Sequence, residues 1–104
     1  MDISILIKKV GQPAERAKID NDDLTAMQAL VGGNIETYYG FPGVTLFLNE
    51  DGKFNGSQPN FHVVGDVIMG DVFVTGLADD EGESTGLTDA QAVTISHQLT
   101  LLSA

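Results

Sequence analysis

The sequence predicts an α+β fold, a mainly antiparallel sheet with two helices packed against one of its faces. Three observations lead there. Short runs alternate apolar and polar residues at period two. Two longer stretches repeat apolar residues at helical spacing. The elements follow one another in the order β-β-α-β-β-β-α. At 104 residues the chain has the length of a single domain, residues 1–104, with one modest core.

The elements are justified in order. Ile3, Ile5 and Ile7 alternate with Ser4, Leu6 and Lys8, a β-branched opening strand over residues 2–9. Gly11-Gln12-Pro13 is a turn, and residues 15–19 return with Ala17 and Ile19 inward and Arg16 and Lys18 outward. The basic residues thereby gather on the wet face or edge of one hairpin, where lysine guards against edge-to-edge pairing. Asp20-Asn21-Asp22-Asp23 then opens a helix, with Asp20 or Asn21 as the cap and the extra carboxylates at the positive end of the dipole. Leu24, Met27, Leu30 and Val31 form its buried stripe, and Gly32-Gly33 ends it in a left-handed cap.

The stretch from Gly40 to Gly76 is the centre of the chain. Asn34 to Tyr39 leads into it as a strand, broken by Gly40-Phe41-Pro42-Gly43. Val44, Leu46 and Leu48 then alternate with Thr45, Phe47 and Asn49, and Glu50-Asp51-Gly52 reads as a hairpin turn with Gly52 left-handed. Asn55 to Asp66 contains Gly56, Pro59, Asn60 and Gly65, too many breakers for a long element. An ordered excursion with Phe61 tucked beneath it is expected, and Val67-Ile68-Met69 as a short apolar turn or helix. A last strand, Asp71 to Thr75, lies between Gly70 and Gly76. After the acidic loop Asp79–Glu83, Thr88 and Gln91 make a capping box for a helix with Ile95, Leu99 and Leu102 buried. No charged residue follows Asp89. That pattern fits a helix covered on two sides within the fold; a homodimer contact and a simply polar outer face are the alternatives.

Composition narrows the function classes. A hydrophobic fraction of 42% opposes intrinsic disorder. No apolar run approaches the ~20 residues of a membrane span, and the start lacks a secretory leader, so a soluble cytoplasmic protein is expected, with no membrane association. Without cysteine there is no disulfide framework, thiol nucleophile or thiolate metal site. The formal net charge is −10, and all of it lies beyond residue 18, because residues 1–18 are net basic. Such a balance disfavours direct nucleic-acid binding, which needs Lys and Arg against phosphates. It fits a solubilising surface, or one imitating the phosphates of DNA.

Chemistry-bearing patterns are sparse. No GxSxG, phosphate-binding loop or GxGxxG occurs. Asn49-Glu50-Asp51-Gly52 and Asp79-Asp80-Glu81-Gly82 resemble half of a calcium loop but lack its distal glutamate, and hairpin turns account for both. His62 and His97 accompany no nucleophile motif. The expectation is a protein that is not an enzyme, with no metal and no cofactor. Asn60 and His62 are the candidate ligand-binding residues, polar groups beside a pocket between the 55–65 excursion and the strand Asp71–Thr75.

Gly33-Asn34-Ile35-Glu36, Asn49-Glu50-Asp51-Gly52-Lys53, Pro59-Asn60, Gly70 to Gly76 (GDVFVTG) and Leu87-Thr88-Asp89 follow one another in an order similar to that of domain of unknown function 3846. The resemblance spans nearly the whole chain and implies a small protein of a bacterium, phage or conjugative element. It implies no activity and no catalytic residue. A departure occurs at Phe61, where that family often has a basic residue, and this weighs against a ligand role here. Three readings follow: an accessory factor whose partner is another protein, with a possible homodimer through the last helix; a small-molecule or nucleotide-binding module; and a DNA mimic. The third requires the acids of Asp20–Asp23, Glu50–Asp51 and Asp79–Glu83 to form one stripe, which is not expected of residues at element ends.

Overall fold

Alternation of side chains makes the strands, and which faces it leaves apolar decides the layers. The computed structural model describes residues 1–103. Strands β1 (Asp2–Lys8) and β2 (Glu15–Asp20) form the opening hairpin, with Ile5 opposite Ala17 and Ile3 opposite Ile19. Helix α1 (Leu24–Val31) follows, then β3 (Ile35–Tyr38), β4 (Val44–Asn49), β5 (Pro59–Val63), β6 (Asp66–Met69), β7 (Val72–Gly76) and α2 (Asp89–Leu102). Five strands make one sheet in the order β2-β1-β7-β4-β3, and β5 and β6 make a second, two-stranded one. Every pairing is antiparallel. The fold is α+β, as the sequence predicts.

The two helices lie on opposite faces of the large sheet, not on one. Ile3, Ile5, Ile19 and Phe73 pack against Met27 and Val31 of α1. Leu6, Val44, Leu46, Val72 and Val74 point the other way, onto Ile95 and Leu99 of α2 and Phe61 and Ile68 of the ribbon β5–β6. Successive residues of β1 and β7 are apolar on both parities, and all five residues of β7 are buried. A strand of that kind is stable only when both faces are covered.

Further expectations are corrected. The α1 cap is Asp23, whose carboxylate accepts from the Ala26 amide at 2.9 Å; Asp20 instead receives the terminal amino group of Met1 at 3.0 Å. Leu24 consequently falls in the exposed first turn, while Met27 and Val31 carry the packing and Gly32 closes the helix at φ +79°. β4 does not hairpin into the residues after it but lies between β3 and β7. Gly52 is not left-handed; a Cβ there would stand 3.1 Å from the Met69 carbonyl oxygen, so its value is close approach to β6. The 55–66 excursion and the Val67–Met69 turn are in fact the two strands of the ribbon.

Helix α2 starts as expected: Thr88 Oγ1 accepts from the Gln91 amide at 3.1 Å and Gln91 Oε1 from the Thr88 amide at 2.9 Å. It is not enclosed on two sides. Ala92, Ile95 and Leu99 are buried, and Val93, Thr94, His97, Thr100 and Leu101 are exposed.

Candidate interaction cleft

The two residues singled out in the sequence are separated by the structure. β5 contains a bulge, Pro59 pairing with Met69 and Phe61 with Ile68, so Asn60 is the extra residue and its side chain is redirected inward. Asn60 Nδ2 donates to the carbonyls of Lys8 and Gly70, both at 2.8 Å, and Oδ1 accepts from Lys8 Nζ at 2.9 Å. Lys8 is only 2% exposed and donates also to the Lys9 carbonyl at 3.0 Å. Burial pulls its pKa below the usual lysine value, opposed by the Asp71 carboxylate. Asn60 thus fastens the ribbon to the end of β1. His62, by contrast, is exposed. Phe61, Ile68, Val72 and Val74 belong to one buried cluster, so the ribbon's inner face is packed instead of hollow.

A concavity does exist along β6. A cleft of about 270 Å³ runs between the β3–β4 face and β6, with Tyr38, Leu48, Ile68 and Met69 among its apolar lining and Glu36, Glu50, Lys53 and Asp66 among its charged lining. Its position follows from Asn49, the last residue of β4. Asn49 Nδ2 donates to the Val31 carbonyl at the end of α1 at 3.1 Å, and Oδ1 accepts from the Asp51 amide at 2.8 Å. Those two bonds turn the chain sharply, and Gly52 lets the turn press onto Met69.

The turn then delivers Lys53 and Phe54. Lys53 forms an ion pair with Asp66, and that hydrogen bond, with a second from the Val67 amide, holds the Asp66 carboxyl below its ordinary range. Phe54 is 88% exposed and Val64, at the ribbon's tip, fully so. The Lys53–Asp66 pair therefore ties together two turns that each present an apolar side chain to water. Glu50 Oε1 accepts from Asn34 Nδ2 at 3.1 Å and Glu36 is exposed, leaving the lining acidic once Lys53 and Asp66 are paired. The sequence carried a signal for this site: Phe54 is a large apolar residue inside a cluster of turn formers, where no core contact is available.

Two of the three acidic clusters meet elsewhere. Asn21 Nδ2 donates to the Ser84 carbonyl at 2.9 Å, bringing the acidic loop onto the start of α1. The nearby Asp22 carboxylate, by charge and by hydrogen bonding, pushes the Glu83 carboxyl up, with smaller contributions from Asp79 and Glu81. Glu50 stands beyond the far end of α1, which contains no acid over its length of about 12 Å. Phosphates in DNA recur every ~3.4 Å along a strand, so the clusters make no continuous stripe. Among the described residues no three His, Asp or Glu side chains gather in a way that could hold a metal ion, and no helix is long and apolar enough to cross a membrane.

Comparison with known proteins returns one finding. No curated protein and no solved structure matches the chain. A family model described as domain of unknown function (DUF3846) matches residues 2–100, which take in all seven strands and most of α2, and the chain belongs to that family.

Proposed function

We propose that the protein is a non-enzymatic accessory factor that binds another polypeptide in the cleft between β3 and β6. The observation that carries this reading is Phe54, 88% exposed at the edge of a cleft of mixed apolar and acidic lining and tied by Lys53–Asp66 to the exposed Val64. Burying an aromatic side chain of this size is worth about 1.5–3 kcal/mol, and aromatic anchors dominate protein–protein contacts. Cleft size favours a polypeptide over a metabolite. Small-molecule pockets run about 300–1,000 Å³ and enclose most of their ligand, whereas this one holds about 270 Å³ and Phe54 in its lining is largely exposed. Glu36 and Glu50 select a segment with Lys or Arg beside an apolar residue.

Selection from a random displayed-peptide library tests this. Enriched sequences should combine a basic and an apolar residue, and Phe54→Ser should reduce their binding at least ~10-fold, the equivalent of ~1.4 kcal/mol. Peptides that bind the Phe54→Ser protein equally well would refute the site. A thermal shift with nucleotides or sugars, unaffected by Phe54→Ser, would move support to the small-molecule reading.

A further inference from the structure

The outer face of α2 is unlike the rest of the surface. Val93 is 61% exposed and Leu101 76%, and His97 is exposed between them. Spaced by four, the three form a single stripe along the helix. No charged residue follows Asp89, and the one charged side chain lining the groove beside Val93 and His97 is Arg16, neutralised by its pair with Asp89 at 2.8 Å. Residues 19–88, in contrast, carry twelve acids against Lys53 alone. A basic partner would be drawn to the acidic surface, and an acidic one gains nothing from an uncharged strip that is mostly small or polar. A second copy is different. Two molecules of net charge −10 repel wherever their acids face each other, and a strip free of charge is where they approach at least cost.

We infer that the outer face of α2 is a two-fold contact with a second copy of this chain, the helices antiparallel and crossing at His97. The stripe is self-complementary about that residue. Val93 lies one turn, about 6 Å, to one side of His97 and Leu101 the same distance to the other. A two-fold axis through His97 therefore sets each Val93 on the partner subunit's Leu101. One helix of about 21 Å gives an interface at the small end of the specific range, so the association is reversible and concentration-dependent.

Sedimentation velocity on the full chain over a dilution series tests it. The mass should rise from one chain to two with concentration. Val93→Asp and Leu101→Asp, both at exposed positions, should each shift that rise more than ~10-fold upward while circular dichroism shows them folded. Leu24→Asp on α1 should leave it in place. A second measurement exploits the absence of cysteine. Helices packed 8–10 Å apart bring facing Cα atoms to about 3.4–5.4 Å, a separation overlapping disulfide range, so His97→Cys should oxidise to a covalent dimer. A single-chain mass at every concentration overturns the inference, as does a dimer unaffected by Val93→Asp. A dimer that Val93→Asp abolishes but His97→Cys fails to lock overturns the crossing point.

Discussion

Lys8 and Asn60 form the least replaceable polar contact in the molecule. A nearly buried lysine is tolerated because Asn60 Oδ1 and the Lys9 carbonyl accept from its ammonium group. Asn60→Ala would take one of the two acceptors from that ammonium and the side-chain donor from the buried carbonyls of Lys8 and Gly70. Each orphaned buried group costs about 1–3 kcal/mol, so a loss of roughly 3 kcal/mol is expected in chemical denaturation. Lys8→Met should cost less, because it removes the buried charge and leaves only Asn60 Oδ1 without its donor, while Asn60 Nδ2 keeps both carbonyls. The pH dependence has a definite sign. Burial lowers the folded pKa of Lys8, so above it the unfolded chain still binds a proton that the folded chain has lost, and stability rises with pH towards the ordinary value of 10.5. Lys8→Met should abolish that rise. Little of this was legible beforehand, since Lys8 read as one of the outward basic residues of an alternating strand. Its burial depends on a bulge fifty residues away, and no local pattern announces where a bulged side chain will point.

At the scale of elements, three short-range signals hold, whereas pairings between distant strands were not legible. The Thr88–Gln91 capping box, the Gly32 stop and the Val44–Asn49 alternation each sit within a few residues, and each element formed where expected. The ribbon β5–β6 was missed because its turn is unconventional. Two-residue hairpins favour Asn-Gly in a type I′ turn, but this one uses Val64-Gly65. Among the described residues none other than glycine has positive φ, so Val64 is negative and Gly65 is +74°, the order of signs in a type II turn. Nothing lies within 4 Å of a Cβ added at Gly65, so Gly65→Ala probes conformation alone. About 1–2 kcal/mol of destabilisation by urea titration is expected. The cleft shares the ribbon's fate: its lining residues Tyr38 and Met69 come from strands that only the tertiary fold brings alongside.

For the whole molecule, charge and topology set the terms. Asn21 holds the acidic loop against α1 even though Asp22 and Glu83 repel. The raised folded pKa of Glu83 means its carboxylate destabilises the fold at neutral pH, a penalty that fades as pH falls through that value towards the ordinary 4.5. Glu83→Gln should therefore raise the melting temperature at pH 7 and show no advantage in acid. Topology could not be read from periodicity, because residues apolar on both parities do not say which helix covers which face. The strand order carries a consequence for synthesis. β7 separates β1 from β4, so the hairpins β1–β2 and β3–β4 share no backbone hydrogen bonds until the chain has been extended through residue 76. A ribosome thus releases two half-sheets, each with an open apolar edge, before the keystone that joins them exists. Closure is one late event, and a nascent chain stalled short of β7 presents the edges of β1 and β4 to whatever strand comes first.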